Sequence, residues 1–189
     1  MKEIIALDKR LFLFLNGIHH PYLDSVMYYA TQTFFWLPLY LFLIILIFKK
    51  YKYEFWFVLL GVVLAIVLAD QVTSTLMKPY FARLRPSHDP SLTGLVQLVN
   101  GYAGGLYGFA SSHAANTFGM AIFVWLTLKS FYPKAGLIFF WAAFMTYTRI
   151  YLGVHFPGDV LVGAIIGLAC GWLGFTLSHR MIAWYKKAD

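Results

Sequence analysis

The chain has 189 residues, of which 60% are hydrophobic, 20% aromatic and only 12% charged. A soluble domain carries about 25% charged residues, so this composition argues against a water-soluble protein and indicates an integral membrane protein. The net charge of +7 is typical of membrane sidedness in so apolar a chain, and we expect no nucleic-acid partner. The single cysteine, Cys170, lies in an apolar run and is predicted to be a small buried side chain.

The first 20 residues are predicted to form a helix that lies in the membrane interface. Asp8, Lys9 and Arg10 leave the apolar run Leu11–Leu15 too short for a secretory signal, so we expect no cleaved leader. At helical spacing the apolar residues share one face with the charges opposite, which is typical of an interfacial helix. That face comprises Ile4, Ile5, Leu7, Leu11, Phe12 and Leu15.

About five further segments approach the roughly 20 apolar residues that a membrane-crossing helix needs. A stretch too polar for lipid, 78–112, separates the second segment from the third. The sequence therefore predicts an all-α fold over residues 1–189, a single-domain integral membrane bundle of about five transmembrane helices plus the N-terminal interfacial helix. The predicted spans are Leu23–Phe48, Phe55–Met77, Ala114–Leu128, Gly136–Tyr151 and Asp159–His179.

Basic residues predict the orientation of the bundle. If the five spans alternate, two Lys-rich loops and the tail fall on one side, and Lys/Arg-rich loops are usually cytoplasmic. We therefore expect a multi-pass cell (inner) membrane protein with a cytoplasmic C-terminus and the 78–112 loop facing the periplasm or the exterior. The residues that set this orientation are Lys49, Lys50, Lys52, Lys129, Lys134, Arg180, Lys186 and Lys187.

Small residues recur at every fourth position of the last span, at Gly163, Gly167 and Gly171. Such a stripe permits close contact between helices. We expect packing inside the bundle. A dimer contact through the same stripe stays open.

Three polar clusters lie at the ends of spans that alternation places on the outer face. The first is "KPYFARLRP", which contains Lys78 and Arg85. The second is "ASSH", residues 110–113. The third, "TRIYLGVHFPGD", spans residues 148–159. Because all three emerge on one face, we expect their side chains to form a single site.

The residue types in these clusters favour chemistry on an anion. Arg presents a planar fork that matches phosphate oxygens, Lys adds a point charge, and the helix start near His113 offers amide groups. Two histidines suit a reaction that needs a nucleophile or base and an acid. A carboxylate four residues after His155 can orient its ring. Since no acidic cluster lies on this face, a metal site is the weaker hypothesis.

Taken in order, the clusters resemble the signature of the type 2 phosphatidic acid phosphatase (PAP2) superfamily. The family pattern reads Lys-x6-Arg-Pro, then Pro-Ser-Gly-His, then Ser-Arg-x5-His-x3-Asp. In this chain it reads Lys78…Arg85-Pro86, Ala110-Ser111-Ser112-His113 and Thr148-Arg149…His155…Asp159. Order, spacing and position between spans agree, and the resemblance covers the chain from the second span onward.

The resemblance implies a phosphohydrolase that needs neither metal nor cofactor. His155 would form a phosphohistidine with Asp159 orienting it, and His113 would protonate the leaving oxygen and later activate water. The remaining matched side chains would bind the phosphoryl oxygens, as phosphoryl transfer requires. These phosphate-binding residues are Lys78, Arg85, Ser111, Ser112 and Arg149.

Three positions depart from the family pattern: Ala110 replaces Pro, Ser112 replaces Gly and Thr148 replaces Ser. None of these changes removes a titratable group. Ser112 places a side chain where glycine would let the backbone approach a phosphate closely. We therefore expect the loop geometry to differ from the family pattern while the chemistry is kept.

Other polar residues are given lesser roles. Asp70 lies inside the second span, two turns before Lys78, and is predicted to support that lysine, with Ser74, through a structural hydrogen bond. The remaining histidines match no motif, and we expect them in loops or at the interface. They are His19, His20, His88 and His179.

The predicted substrate is the phosphate or diphosphate of a lipid that enters from the outer leaflet. Compact family members act on undecaprenyl diphosphate, which is the first choice here, or on phosphatidylglycerol phosphate; phosphatidic acid and lipid A also stay open. One rival is the chemistry of the soluble acid phosphatases and vanadate haloperoxidases, which the apolar spans disfavour. Another is a lipid transporter or a non-catalytic protein that binds lipid phosphates.

Overall fold

Helices form most of the chain between residues 2 and 188, the part that the computed structural model describes. A π-helix, Gln71–Met77, joins the fourth α-helix to the fifth. Within residues 2–188 the only β-pairing is one isolated bridge between Leu84 and Tyr107, so the all-α prediction is confirmed. The α-helices are α1 (Lys2–Asn16), α2 (Pro21–Ala30), α3 (Leu37–Tyr51), α4 (Phe55–Asp70), α5 (Lys78–Phe81), α6 (Ser112–Leu128), α7 (Ile138–Tyr151) and α8 (Pro157–Ala188).

The predicted first span, 23–48, is wrong as a single helix. The chain breaks after α2, where Gln32 has extended backbone angles, and resumes through a 3-10 turn at Thr33–Trp36. Pro38 lies in the first turn of α3, where its missing N–H leaves no helical hydrogen bond unmade. The break presents Thr31 to Arg149, whose Nη1 donates to the Thr31 hydroxyl at 2.8 Å.

The other predicted spans agree more closely with the helices. Two continuous helical segments, Thr33–Phe81 and Pro157–Lys187, are long and apolar enough to cross a membrane. The first contains a sharp turn at Lys52 (φ 47°, ψ −109°), where α3 ends before α4 begins. The helices α6 and α7 coincide with the third and fourth predicted spans to within two residues. That the chain crosses the membrane five times stays a prediction.

Large apolar side chains cover much of the outer surface of the bundle. Phe34 is 81% exposed, Trp56 69% and Trp184 72%. A protein surrounded by water buries such side chains, whereas lipid accepts them. The surface therefore agrees with insertion into a membrane.

The centre of the bundle is the pair α6 and α8, and α4 packs against both. The glycine stripe of α8 faces α6 of the same chain. A Cβ at Gly167 would overlap the Ala115 carbonyl, and one at Gly171 would overlap that of Gly119. Close backbone contact of this kind is what a small-residue stripe allows, so packing inside the bundle is confirmed.

Asn16, at the end of α1, forms hydrogen bonds with the C-terminal end of α7. Its side chain is almost fully buried, and its amide group donates to the carbonyl oxygens of Ile150 (3.2 Å) and Tyr151 (2.8 Å). It also exchanges two hydrogen bonds with the backbone of Gln97, at 2.8 and 3.1 Å. The bond to Tyr151 O satisfies a carbonyl at the end of α7, and the bonds to Gln97 hold the 82–111 loop against that end. The chain that follows carries His155.

Candidate active site

Arg83 and Arg85 lie on one short extended stretch, and their side chains point toward the same region of the protein. Arg85 N–H donates to Leu106 O (3.1 Å) and Gly108 N–H donates to Arg83 O (2.9 Å), on either side of the Leu84–Tyr107 bridge. Alternate residues of extended chain share a face, so Arg83 and Arg85 project together. Arg85 reaches Val154 O in the segment between α7 and α8, and Arg83 lies over the Phe156 ring of that segment and bonds Asp159 of α8.

His155 lies in that segment, 2% exposed, between a carboxylate and a cation. Its Nδ1 is 3.4 Å from Asp159 Oδ2, and its Nε2 is 3.2 Å from Arg85 Nη1. Since guanidinium groups only donate, Nε2 must carry the lone pair and Nδ1 the proton. This is the tautomer in which Nε2 can act as a nucleophile.

The pKa of His155 lies well below its ordinary value. Burial is the main cause, and the positive charges of Arg85, Arg149 and Lys78 lower the pKa further. Because the folded-state pKa is depressed, the ring stays neutral as the pH falls through 6.5. The lone pair on Nε2 is therefore available at neutral and mildly acidic pH.

Asp159 is fully buried in the first turn of α8 and is held by several donors. Its Oδ2 accepts from the Phe156 N–H (3.0 Å) and its Oδ1 from Arg83 Nη1 (2.8 Å). Its backbone carbonyl accepts from the Ser111 N–H (3.0 Å), which ties α8 to the start of α6. These contacts leave Oδ2 facing His155.

Arg83 and Asp8 belong to this arrangement and were not among the predicted site residues. Arg83 Nη2 donates to Asp8 Oδ2 at 2.6 Å while Nη1 bonds Asp159, so one guanidinium bridges two carboxylates. Asp8 Oδ1 also accepts from the Gly158 N–H at 2.8 Å. The sequence does offer one indication of Arg83, an arginine between Lys78 and Arg85 to which the family pattern gives no role. Nothing in the sequence indicates Asp8.

Lys78 binds the first residue of α6. Its Nζ donates to Ser112 Oγ at 2.6 Å and lies 3.4 Å from Ser74 Oγ. Ser74 in turn donates to Asp70 Oδ1 at 3.1 Å, so the predicted support of Lys78 by Asp70 and Ser74 is confirmed. The π-helix between Asp70 and Lys78 is a local irregularity often found at functional sites.

Arg149 is buried with neutral partners. Besides Thr31, its guanidinium donates through Nη2 to the Tyr102 hydroxyl at 3.2 Å, and its Nε has no hydrogen-bond partner. Burial raises the pKa of Tyr102, but the hydrogen bond and charge of Arg149 outweigh burial and lower it. Neither contact neutralises the charge of Arg149.

Ser111 and His113 begin α6. Ser111 is the N-cap, and its fully buried hydroxyl accepts from the Ala114 N–H at 3.4 Å. His113 follows two residues later, and its buried Nε2 has no hydrogen-bond partner. The structure thus brings all eight predicted site residues to one end of the bundle, with Ser111 engaged by its own helix and Ser112 by Lys78.

The site carries an excess of positive charge. Lys78, Arg85 and Arg149 form no ion pair with any carboxylate in residues 2–188, whereas Arg83 forms two. Burying Arg85 and Arg149 without a counter-charge, with the half-buried Lys78 beside them, is costly unless an anion completes the site. The arrangement is therefore built to hold an anion such as phosphate.

A model of the PAP2 superfamily matches residues 56–183, which include every predicted site residue. The chain belongs to the PAP2 superfamily. As a PAP2 member it is a lipid phosphatase, a hydrolase of phosphate esters.

Two curated relatives show where this PAP2 protein lies within the superfamily. The chain is 40% identical to the lipid A 4′-phosphatase of Bacteroides thetaiotaomicron, over 94% of this chain and 79% of that protein. It is 28% identical to the undecaprenyl-diphosphatase of Sulfolobus acidocaldarius, over 92% of this chain and 78% of that protein.

Two solved structures resemble the fold as a whole. The crystal structure of Aquifex aeolicus LpxE superposes with a TM-score of 0.63 and 29% identity, over 90% of this chain and 95% of that chain. The transmembrane PAP2 type phosphatidylglycerolphosphate phosphatase from Bacillus subtilis superposes with a TM-score of 0.68 and 24% identity, over 97% of this chain and 88% of that chain. The helical fold described here is therefore that of a PAP2 membrane phosphatase.

Two of the departures from the PAP2 pattern, Ser112 and Thr148, form hydrogen bonds in the structure. Ser112 supplies the hydroxyl that binds Lys78, so the extra side chain holds a cation of the site. Thr148 is buried, and its hydroxyl donates to the Met145 carbonyl within α7 at 2.6 Å. Neither residue displaces a titratable group, as expected.

The histidines outside the motifs lie apart from the site. His19 pairs with Asp24 at 3.1 Å, and His20 caps α2. His88 and His179 contact Gly104 O (3.4 Å) and the Tyr51 hydroxyl (3.2 Å). Between residues 2 and 188, no group of three or more His, Cys, Asp or Glu side chains is arranged to hold a metal ion.

Proposed function

We propose that this PAP2 protein hydrolyses a lipid phosphate through a phosphohistidine at His155, without a metal or other cofactor. The observation that carries the proposal is the meeting of three cations that lack carboxylate partners with a neutral, oriented imidazole. Cations fixed around a phosphoryl group stabilise the charge of its transition state, and a lone pair on Nε2 supplies the nucleophile.

The first step transfers the phosphoryl group to the protein. His155 Nε2 forms the N–P bond as the P–O ester bond breaks, and Asp159 stabilises the positive charge that develops on the ring. His113 gives a proton to the departing oxygen; the negative charge of the bound phosphate is required to offset the burial and the Arg149 charge that lower the pKa of His113. Lys78, Arg85 and Arg149 hold the equatorial oxygens.

The second step releases phosphate. His113, now neutral, takes a proton from water as that water attacks phosphorus. The N–P bond breaks, and His155 and His113 return to their starting protonation states. Since the ring of His155 is held by Asp159 throughout, the same geometry serves both steps.

A phosphate monoester on a lipid with a sugar head group is the substrate favoured here over undecaprenyl diphosphate. The support is the difference in sequence identity. This chain is 40% identical to the lipid A 4′-phosphatase relative and 28% identical to the undecaprenyl-diphosphatase relative. We place the site on the periplasmic or exterior side of a cell membrane, with a cytoplasmic C-terminus, because the Lys-rich loops lie at the opposite end of the helices from the site.

Phosphate release by the purified protein in detergent tests the proposal. We expect turnover with a lipid phosphate in the presence of EDTA, because every group in the two steps belongs to the chain. The panel should contain a phosphorylated glycolipid, phosphatidic acid and undecaprenyl diphosphate. No phosphate release from any of them would contradict the proposal, and complete loss with EDTA would contradict its metal-independent form.

Arg83 is proposed to position the catalytic pair by bridging Asp159 and Asp8. Arg83→Gln is expected to lower kcat by about 10- to 100-fold with little change in KM, because a shift of about 1 Å at the nucleophile costs this much. Asp8→Asn is expected to cause a smaller loss of the same kind. Steady-state kinetics on one lipid phosphate measures both.

Arg10→Gln is the matched control, since Arg10 lies on α1 near Asp8 but is exposed. It should leave kcat and KM unchanged. The Asp8→Asn/Arg83→Gln double variant should lose less than the product of the single losses, because both act through one contact. A rise in KM at unchanged kcat would show instead that Arg83 binds substrate.

A further inference from the structure

Tyr102, in the 82–111 loop, contacts the buried cation Arg149 and corresponds to no position of the PAP2 pattern. Arg149 Nη2 donates to the Tyr102 hydroxyl at 3.2 Å, and the guanidinium carbon lies over the Tyr102 ring, 5.5 Å from its centroid. A cation over an aromatic face is attracted by the ring. Because Tyr102 is 37% exposed, a ligand of Arg149 can also reach the phenol.

The phenolic hydrogen of Tyr102 has no acceptor within residues 2–188. A guanidinium only donates hydrogen bonds, so the Tyr102 oxygen is the acceptor in its contact with Arg149. The phenol therefore keeps its own hydrogen for another partner. A spare donor beside a cation that lacks a carboxylate partner is suited to an anion that binds the same cation.

The backbone that follows Tyr102 packs against a second cation of the site. At Gly104, where φ is 67°, a Cβ would lie 2.8 Å from Arg85 Nη1. The same Nη1 is 3.2 Å from His155 Nε2. The short segment 102–104 thus reaches two of the three cations, through the Tyr102 side chain and through the Gly104 backbone, on the side of the nucleophile.

The contact with Arg149 makes the Tyr102 hydroxyl a stronger donor. Burial raises the pKa of Tyr102, but the hydrogen bond and charge of Arg149, with a contribution from Arg85, outweigh burial and lower that pKa. Hydrogen bonds in a chain polarise one another, so a phenol that accepts from a guanidinium donates more strongly. Since Nη2 has two hydrogens and Tyr102 takes one, Nη2 and the hydroxyl can bond two oxygens of one phosphate group.

We propose that Tyr102 is a phosphate-binding residue, whose hydroxyl donates to an oxygen of the phosphoryl group held by Arg149 and Arg85. The inference rests on the proposed function and adds a neutral donor to the three cations. Its ligand is a phosphate group, either on the lipid or as the inorganic phosphate released in the second step. The hydroxyl keeps its proton in both steps, so it binds and does not act as an acid.

Thr31 allows this role to be separated from that of merely holding Arg149. The hydroxyls of Thr31 and Tyr102 both accept from the Arg149 guanidinium, at 2.8 and 3.2 Å. Thr31 is buried at the end of α2, whereas Tyr102 is partly exposed. If the only task of these hydroxyls were to hold Arg149, loss of the shorter Thr31 bond should cost at least as much as loss of the Tyr102 bond.

Tyr102→Phe removes only the hydroxyl and tests the inference. It is expected to lower kcat/KM for a lipid phosphate about 10-fold and to raise the Kd of inorganic phosphate by about the same factor, the size of effect typical of losing a hydrogen bond to a charged group. Steady-state kinetics measures the first value. Broadening of the phosphorus NMR signal, as purified protein in detergent is titrated into phosphate, measures the second.

Two further variants complete the experiment. Thr31→Val keeps the side-chain shape and is expected to change both values much less than Tyr102→Phe, because Thr31 acts on phosphate only through Arg149. Tyr80→Phe is the matched control and should change neither value. Tyr80 is 82% exposed at the same end of the bundle, and its ring packs on Phe81.

Losses in Thr31→Val as large as those in Tyr102→Phe would overturn the inference, since both hydroxyls would then serve only to hold Arg149. Unchanged phosphate binding in Tyr102→Phe would overturn it as well. Binding of phosphate needs no turnover, so it separates this inference from the proposed function. If Tyr102→Phe weakens phosphate binding but the wild type hydrolyses no lipid phosphate, the proposed function fails and Tyr102 still binds phosphate. If the wild type hydrolyses lipid phosphate and Tyr102→Phe matches it in both values, the role of Tyr102 alone is wrong.

Discussion

His155→Ala is expected to lower phosphate release from a lipid phosphate by about 10³- to 10⁶-fold, the range typical of losing a covalent nucleophile. The imidazole supplies the atom that bonds to phosphorus, and within residues 2–188 Asp159 is the carboxylate in contact with it. Burial and three cations lower the pKa of the ring, so its lone pair is available for attack. Phosphate release by the purified variant in detergent measures the loss.

Trapping of the intermediate gives an independent measurement. Acid-labile, base-stable labelling of the protein by a substrate with radioactive phosphate should occur in the wild type and be absent from His155→Ala. Asp159→Asn should still be labelled, but more slowly, since it loses the charge that stabilises the ring while keeping the side-chain shape. His88→Ala is a matched control, because His88 lies in the 82–111 loop and the hydrogen bond of its side chain is to Gly104 O and not to a predicted site residue.

The same variant separates an enzyme from a protein that only binds lipid phosphates. Full activity in His155→Ala would exclude the nucleophile assignment. Binding of a lipid phosphate that persists in His155→Ala, with no phosphate release in either form, would support the rival non-catalytic function. Loss of release with binding retained is the outcome expected of a nucleophile, since the cations Lys78, Arg85 and Arg149 remain.

Motif spacing located most of the site because each of the three clusters is local in sequence. Lys78 to Arg85, Ser111 to His113 and Arg149 to Asp159 each span at most a few turns, and the alternation of helices placed their ends on one side. Helical spacing also linked Asp70 and Ser74 to Lys78, and the structure has those hydrogen bonds.

What the sequence could not indicate are contacts between distant segments. Asp8 meets Arg83 across 75 positions, and Asn16 meets the end of α7 across more than 130. No periodicity connects such residues, because their meeting depends on how the interfacial helix packs against the bundle. The orienting groups of a site are therefore harder to predict than its reacting groups.

The break in the first predicted span has a similar cause. Hydropathy over 23–48 is continuous, and nothing in it requires the helix to end near Thr31. Two side chains from outside α2 bond at this end: Arg149 of α7 donates to Thr31, and Trp36 Nε1 donates to the Ala30 carbonyl at 2.7 Å. An apolar pattern carries no information about such contacts, so it leaves this boundary open.

Because His113 is proposed to protonate the leaving oxygen, we expect the fall in kcat on replacing His113 to depend on the leaving group. His113→Ala is expected to lower kcat for an alkyl lipid phosphate by about 10²- to 10⁴-fold, the range typical of general acid catalysis. The loss should be much smaller for an activated aryl phosphate, whose phenolate departs without a proton. Measuring both substrates on one preparation cancels any difference in protein stability.

His88→Ala provides the matched control, because it also replaces a histidine by alanine and His88 takes no part in the two proposed steps. It should lower the rate on neither substrate. Equal losses on alkyl and aryl phosphates in His113→Ala would mean that His113 holds the phosphate or the fold and does not protonate the leaving oxygen. A loss confined to the alkyl phosphate would place the transferred proton on His113.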